Sequence, residues 1–171
     1  MRRLFVAGLI ATVGIATAVA LALAGSPSQP QWTEMRPSLL ERTEVAAARI
    51  DRYVYVVGGF EKESGRTISA VLRYDLERDS WGRVRSLPAH VNHTAATVWD
   101  GKLYVYGGYT APRDLTRPTR ALFRYDPLRD RWKRLRGGPA PRAAHTMQAI
   151  AGRLYVVGGV VDGAATNGMD V

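Results

Sequence analysis

The sequence Tyr104-Val-Tyr-Gly107-Gly108 is one of three copies of a motif, the others being Tyr55-Val-Val-Gly58-Gly59 and Tyr155-Val-Val-Gly158-Gly159. A tryptophan stands 26 residues before the first glycine of each copy, and the three are Trp32, Trp81 and Trp132. The steps between copies are 49 and 51 residues, for the tryptophans and for the glycine pairs alike. A constant spacing inside a unit, with small changes in unit length, is typical of a repeat architecture.

Each repeat is predicted to contain four short strands, named a to d in chain order. In the second unit these are about 92–99, 102–108, 121–126 and 131–135, and the first unit matches at about 45–50, 53–59, 70–75 and 80–84. Asp100-Gly101 predicts a tight hairpin between strands a and b, because glycine tolerates the positive φ that such a turn needs. Four-stranded units of about 50 residues are typical of β-propellers.

Together these residues resemble the kelch repeat, within the superfamily that includes the central domain of galactose oxidase. The resemblance rests on the glycine pair after strand b, Tyr-Asp in strand c, tryptophan in strand d and Pro-Ala-Pro-Arg142-Ala-Ala-His145-Thr before strand a. Val91 departs from it, because it stands where Arg42 and Arg142 occur, and His93 is one residue out of register with His145. The expected fold is therefore all-β, a kelch-type propeller with four-stranded antiparallel blades.

The repeats in this chain are expected to supply about two and a half blades of that propeller. We expect a first strand d at 32–35, blades at 36–84 and 85–135, and a partial blade at 136–171. An open stack of blades exposes apolar faces. The sequence therefore predicts either missing blades in a longer chain or closure of the ring by self-association.

The repeated residues are expected to be structural. Paired glycines suit places where backbones approach closely or bend, and large amphipathic rings suit the layers between blades. This predicted structural signature comprises Gly58, Gly59, Gly107, Gly108, Gly158, Gly159, Tyr74, Tyr125, Trp32, Trp81 and Trp132.

Residues 1–24 are expected to direct export. Arg2 and Arg3 precede 21 uncharged residues that end in Ala22-Leu23-Ala24. A basic start, an apolar run and an A-x-A end predict a signal peptide, and the run is also long enough for an uncleaved membrane anchor. Residues 25–31 read as a linker. The sequence thus predicts an extracytoplasmic protein that meets the membrane only through this segment.

The amino-acid composition of the chain limits which kinds of ligand and binding partner are expected. The 171 residues carry a net charge of +9 and no cysteine, which excludes disulfides and thiolate metal sites. A basic chain raises the possibility of nucleic-acid binding. The cations are spread through every repeat beside acids, however, which indicates a solvated surface, so no nucleic-acid partner is expected.

A candidate binding site is predicted on the face that carries the b–c and d–a loops, since these loops vary between units. Arginines on this face suit an anionic ligand, although a solvated loop is the favoured explanation for them. The two histidines before strands a either line the central channel or serve structure. The candidate ligand-binding residues are Arg113, Arg117, Arg120, Tyr109, Arg142, His93 and His145.

No catalytic constellation is evident, and no cofactor or metal is expected. The interpretation is an exported module that binds a protein or a carbohydrate. The alternative is a carbohydrate-active enzyme on the same scaffold. Resemblance to kelch propellers admits an isomerase like a sialic-acid epimerase, whose active residues have no matching positions here. Copper chemistry like that of galactose oxidase is disfavoured, because the cofactor of that enzyme needs a cysteine and this chain has none.

Overall fold

The computed structural model describes residues 31–171, and within this range the regular structure consists of strands. Each repeat contributes a principal sheet and a small ribbon. The strands are β1 (Arg42–Thr43), β2 (Ala46–Ile50), β3 (Tyr53–Val57), β4 (Phe60–Glu61), β5 (Arg66–Thr67), β6 (Val71–Asp75), β7 (Ser80–Val84), β8 (Ala95–Trp99), β9 (Lys102–Tyr106), β10 (Leu122–Asp126), β11 (Arg131–Arg134), β12 (Thr146–Ile150), β13 (Arg153–Val157), β14 (Val160–Val161), β15 (Ala164–Ala165) and β16 (Met169–Asp170).

The principal sheets are antiparallel and follow chain order. The first is β2-β3-β6-β7, the second is β8-β9-β10-β11, and the third contains β12-β13-β16. In the first sheet Tyr55 lies opposite Ala48 on one side and Arg73 on the other, and in the second Tyr104 lies opposite Thr97 and Arg124 in the same way. The expected all-β fold, with four-stranded antiparallel blades and an incomplete third, is confirmed.

Successive sheets pack face to face. Strand a of each blade lies beside strand a of the next, with β2 next to β8 and β8 next to β12. Apolar side chains of the first and second sheets form one buried cluster that includes Tyr55, Val57, Val105 and Tyr125. A second cluster joins the second and third sheets. Because each blade buries an apolar face against its neighbour, the contacts between successive repeats stabilise the stack.

The turns follow from local chemistry. Asp100 and Gly101 both have positive φ, 47° and 63°, as a two-residue hairpin of this hand requires. In the c–d turn of the first blade, the Asp75 carboxylate accepts the backbone N–H of Glu77 at 3.1 Å, and Asp126 accepts that of Leu128 at 3.0 Å in the second. Hydrogen bonds from the nearby Arg129 and Lys102 lower the pKa of Asp126 to about 2.

A repeated set of contacts, which we call the arginine clamp, ties the end of one repeat to the c–d turn of the next. The Arg85 backbone N–H donates to the Asp130 carboxylate at 2.9 Å, and its Nε donates to the Asp130 carbonyl at 2.7 Å. The Trp132 indole donates to the Arg85 carbonyl at 2.8 Å. The Tyr125 hydroxyl also donates to the Asp130 carboxylate, at 2.6 Å, which lowers the pKa of Asp130.

The first blade holds a second copy of the clamp, built from Arg36, Asp79, Trp81 and Tyr74. The backbone N–H and Nε of Arg36 donate to Asp79 at 2.9 Å each, and the Trp81 indole donates to the Arg36 carbonyl at 2.9 Å. A hydrogen bond to Asp79, 2.5 Å long, raises the pKa of Tyr74 to about 12. The clamp is therefore a property of the repeat, since it recurs with the same atoms.

Small ribbons or single bridges form around the segments that follow the glycine pairs, and the sequence pattern did not predict them. In the first repeat β1 pairs with β4 and β4 with β5. In the second, single bridges join Tyr109 to Asn92 and to Pro118, and in the third β14 pairs with β15. These segments were expected to be plain loops. Backbone N–H and C=O groups next to the blade edge need hydrogen-bond partners, and pairing within these short segments provides them.

Two segments differ from the sequence-based expectations, and a third lies outside the described residues. Residues 32–35, expected as a strand d, form no strand, because a strand d needs a strand c beside it and none is described before residue 42. Strand a of the second blade begins at Ala95, three residues later than expected. The leader at 1–24 and most of the linker lie outside the described residues. Within 31–171 no helix has the length and apolar character needed to cross a bilayer.

Candidate functional site

The glycine pairs connect neighbouring blades through the backbone. The N–H of Gly59 donates to the Val91 carbonyl at 2.8 Å, and that of Gly108 donates to the Arg142 carbonyl at 2.8 Å. A Cβ on Gly107 would lie 2.3 Å from the Arg142 carbonyl oxygen. The backbone of the following d–a loop therefore occupies the space that a side chain would need, and all six glycines of the pairs have positive φ.

Arg142 supports its own blade, which corrects the expectation that it faces a ligand. Its side chain is 4% exposed. It donates to the carbonyls of Gly158 at 2.6 Å and Gly168 at 3.3 Å, and to the Asp170 carboxylate at 2.5 Å. Arg42 bonds the Gly58 and Ala70 carbonyls in the same way, at 2.7 and 3.1 Å. Buried carbonyls use these donors, since an unpaired one is costly.

The residues at the entrance of each strand a form a hydrogen-bonded series. The Ala144 N–H donates to the His93 carbonyl at 2.8 Å, and the His93 N–H donates to the Glu44 carbonyl at 3.0 Å. All three residues have positive φ, between 48° and 60°. His93 is half-buried, with Nδ1 3.3 Å from the Glu44 carboxylate and its ring edge against Tyr109. Tyr109 itself is 7% exposed, so its ring is not a free stacking surface.

His145 packs between the second and third blades. Its ring stands edge-on to Tyr106, with centroids 5.2 Å apart, and neither ring nitrogen has a hydrogen-bond partner among the described residues. Burial, reinforced by the positive charge of Arg142, lowers the pKa of His145 to about 4. The imidazole is therefore neutral near pH 7.

One exposed part of the loop face is the b–c loop of the second blade, which we call the arginine loop (residues 110–120). Arg113, Arg117 and Arg120 are exposed, as is Leu115 at 55%. The backbone N–H of Thr116 donates to the Asp114 carboxylate at 3.1 Å, and Thr110 donates twice to the Arg117 carbonyl, at 2.9 and 3.1 Å. These local bonds give the loop a defined shape that presents three cations and one apolar tip.

Beside the arginine loop lies a cleft of about 550 Å³ between the first and second blades, which we call the loop-face cleft. Its walls combine charged, hydroxyl and apolar side chains. The lining residues are Glu61, Ser64, Arg66, Thr67, Ile68, Ala89, His90, Thr110 and Pro112. Clefts on a rigid scaffold with a few converging polar groups are the usual form of a binding site.

The floor of the cleft is held by bonds across the two blades. The Thr67 N–H donates to the Pro112 carbonyl at 2.8 Å, and its hydroxyl donates to the Ala111 carbonyl at 2.8 Å. Asn92, 1% exposed, donates to the Thr67 hydroxyl at 2.9 Å. His90 Nδ1 lies 3.0 Å from the Thr67 carbonyl, which can only accept. Nδ1 therefore carries the hydrogen, and in the neutral ring Nε2 is left as an acceptor.

The structure thus separates the candidate binding residues predicted from the sequence into exposed residues and residues of the framework. Arg113, Arg117 and Arg120 lie on the exposed loop, whereas Arg142 and His145 lie in the framework. Glu61, Thr67 and His90 line the cleft, and the sequence analysis did not place them in a site. The available signal was their position in loops of variable length, but which loops share a cleft depends on how the blades pack. Within 31–171 no three His, Cys, Asp or Glu side chains group as a metal site.

Stacked four-stranded sheets with glycine-pair contacts and a variable loop face define a protein built from β-propeller blades. The chain belongs to the kelch-repeat family: the family model described as the KLHDC2/KLHL20/DRC7 Kelch-repeats domain matches residues 28–171.

Curated relatives agree with this assignment. Kelch repeat and BTB domain-containing protein 1 of cowpox virus (strain GRI-90 / Grishak) is 29% identical over 141 residues, covering 82% of this chain and 24% of the relative. The ectromelia virus (strain Moscow) protein of that name is 30% identical over the same shares. Kelch-like protein 41a of Danio rerio is 26% identical, covering 78% of this chain and 22% of the relative. The chain spans about a quarter of the length of these relatives.

Proposed function

We propose that this kelch-repeat module binds a protein partner through its loop face, with an acidic segment of the partner lying along the arginine loop and into the loop-face cleft. The observation that carries the proposal is the combination of a cleft with a fixed floor and three exposed arginines at its side. The relatives are kelch-repeat proteins, and kelch modules commonly serve as scaffolds for protein binding.

The chemistry of the surface favours such a segment. Arginine forms bidentate hydrogen bonds with carboxylates, and Leu115 offers an apolar contact of the kind that anchors a peptide. The cleft adds an acceptor at His90 and hydroxyl groups. Because the floor is tied by four hydrogen bonds around Thr67, binding requires little reorganisation of the protein.

The test uses random peptides displayed on phage and selected on the purified full chain. We expect the selected peptides to be rich in Asp and Glu. Calorimetry on synthetic versions should show at least tenfold weaker binding to R113E/R117E than to the unchanged protein. The matched control is R78E/R131E, which makes the same charge change at two exposed arginines on the opposite face, Arg78 in the c–d turn of the first blade and Arg131 at the start of β11. That control should bind within about twofold of the unchanged protein.

Two outcomes would overturn the proposal. Equal losses in both double variants would mean that the peptides respond to overall charge and not to the loop face. If no peptide is selected and an array of acidic glycans binds with loss in R113E/R117E, the ligand is a carbohydrate, which is the alternative raised by the sequence. The isomerase alternative gains no supporting geometry from the described residues.

We also propose export of the chain, on the support of its leader. Two arginines followed by 21 uncharged residues and a small-residue end form the pattern of a signal peptide. Expression in a bacterial host, followed by mass spectrometry of the N-terminus in the extracytoplasmic fraction, tests this. A chain beginning at Gly25 indicates cleavage, and a chain beginning at Met1 in the membrane fraction indicates an anchor. Recovery only from the cytoplasm would contradict export.

A further inference from the structure

A basic pocket of about 480 Å³, which we call the turn pocket, lies between the end of strand d of the first blade and the c–d turn of the second. It has no lining residue in common with the loop-face cleft. Its polar lining contains three arginines, one acid and one hydroxyl group. These residues are Arg85, Ser86, Arg129, Asp130 and Arg131.

The arginine clamp holds one of these arginines in place and leaves its outer nitrogens available. The Arg85 Nε donates to the Asp130 carbonyl at 2.7 Å, whereas its two Nη groups make no hydrogen bond within residues 31–171. The Asp130 carboxylate accepts from the Tyr125 hydroxyl and from the Arg85 N–H. The acid of the pocket is thus engaged by the framework, while the N–H groups on both Nη atoms of the fixed guanidinium can bind a ligand.

The other donors of the turn pocket are available as well. Arg131 and Ser86 are exposed, and neither side chain makes a hydrogen bond among the described residues. Arg129 donates to the Asp126 carboxylate at 2.9 Å through Nη1 alone. A pocket whose unused polar groups are guanidinium donors and a hydroxyl group suits an oxyanion.

The first repeat shows that the clamp does not need these extra donors. Its clamp is built from the same atoms, with Arg36 in the place of Arg85. Pro37 stands at the position of Ser86, however, and Ser80 stands at the position of Arg131. The donors that Ser86 and Arg131 add to the second repeat are therefore not explained by the assembly of the blades.

The charge of the c–d turn changes in the same direction between the two blades. Glu77 of the first turn pairs with Arg52 at 2.6 Å, and its equivalent in the second turn is Leu128, which is 87% exposed. The second turn has therefore lost a negative charge and gained a positive charge at Arg131. Three guanidinium groups and one carboxylate line the pocket, so its lining carries two positive charges in excess.

We propose that the turn pocket binds the phosphate group of a phosphate monoester. Arg131 and the Nη groups of Arg85 donate to the phosphate oxygens, and the Ser86 hydroxyl donates to a further oxygen. A phosphate monoester carries nearly two negative charges at neutral pH, which matches the excess charge of the lining. The volume lies within the range of small-molecule sites, about 300–1,000 Å³, so there is room for part of the group that carries the phosphate.

The test is an NMR titration of the isotope-labelled full chain with inorganic phosphate, O-phosphoserine and a glucose phosphate. We expect saturable amide shifts concentrated at residues 85–86 and 129–131. Tighter binding of O-phosphoserine would indicate a phosphorylated protein as the source, and tighter binding of the glucose phosphate would indicate a sugar. Serine O-sulfate has the same tetrahedral geometry but a single negative charge, so it should bind more weakly than O-phosphoserine.

The protein variant is R131S, which installs the residue that the first blade has at this position and therefore should keep the fold. The matched control is R134S, since Arg134 is exposed on the same strand and does not line the pocket. R131S should weaken binding of O-phosphoserine about tenfold, because it removes a charged hydrogen bond. R134S should leave binding within about twofold, as expected for a distant exposed charge. Circular dichroism checks that both variants are folded.

The variants also separate this pocket from the arginine loop. R113E/R117E should keep binding of O-phosphoserine within about twofold, and R131S should keep binding of unphosphorylated acidic peptides, since exposed charges at a distance contribute little. Loss of phosphate binding in R113E/R117E would place the anion on the arginine loop and overturn the proposal. Equal losses in R131S and R134S, or the absence of saturable shifts at the turn pocket, would overturn it too.

Discussion

Substitution of Gly107 by alanine should loosen the contact between the second and third blades, and Gly158 provides a matched comparison. Both glycines are the first of their pair, and both have φ of 67°. An alanine at either position therefore suffers the same left-handed strain, about 1–2 kcal/mol. The two positions differ in what the new methyl group meets.

At Gly107 the methyl carbon would lie 2.3 Å from the Arg142 carbonyl oxygen and 2.8 Å from Cε1 of His145, roughly 1 Å short of an ordinary contact. At Gly158 its nearest neighbour is the Thr166 carbonyl oxygen at 3.7 Å, which is an ordinary contact. Relief of the clash must separate the blades and lengthen the bond from the Gly108 N–H to the Arg142 carbonyl. The lost bond costs about 0.5–1.5 kcal/mol, and the overpacking costs about 1–3 kcal/mol.

We therefore expect G107A to lower the free energy of unfolding by about 3–6 kcal/mol and G158A by about 1–2 kcal/mol. Urea denaturation of the purified chain, followed by circular dichroism and tryptophan fluorescence, measures both. Equal losses in the two variants would refute the reasoning, because they would show that backbone strain alone requires glycine and that contact between blades adds nothing.

Further perturbations address other parts of the framework. Because the pKa of His145 is depressed to about 4 in the fold and is about 6.5 when unfolded, stability should fall as pH decreases from 6.5 to 4, by a few kcal/mol at most; H145Q should flatten urea midpoints across that window. D130A leaves the Tyr125 hydroxyl and the Arg85 N–H unpaired, so it should cost about 1–3 kcal/mol in urea unfolding, whereas D114A in the arginine loop should cost less than about 0.5 kcal/mol. R142M should cost about 2–5 kcal/mol by removing the partners of buried carbonyls, with the exposed R113M within about 0.5 kcal/mol as control in the same melts.

Much of the fold could be predicted because the sequence repeats. The spacing of tryptophan and glycine pairs located the strands, and Asp100-Gly101 indicated its turn. The ribbons after the glycine pairs were missed, since two-residue strands such as β4 carry too few residues to show an alternating pattern. Trp32 has the sequence position of Trp81 and Trp132, yet its side chain is fully exposed, because packing depends on a strand c partner and not on spacing.

The candidate site was less predictable. Arg113 and Arg142 are both arginines in loops on the same face, but one is exposed and the other is buried against carbonyls. The difference lies in the position before strand a that Arg42 and Arg142 share, where the side chain bonds carbonyls inside its own blade, and resemblance alone did not reveal this internal role. The loop-face cleft required knowledge of which loops of adjacent blades meet, and Thr67 joins loops 44 residues apart.

Glu44, His93 and Ala144 occupy equivalent positions with positive φ, and their main-chain atoms connect neighbouring blades. At these positions the bond between blades does not depend on the identity of the side chain. Each member joins its neighbour through main-chain atoms, so the same bonds form although the side chains at these equivalent positions are an acid, an imidazole and a methyl group. Side chains of different charge and size thus occupy this position in successive blades while the main-chain bonds between the blades stay the same. A kelch chain can therefore acquire new chemistry along its axis by single substitutions that leave the assembly of blades unchanged.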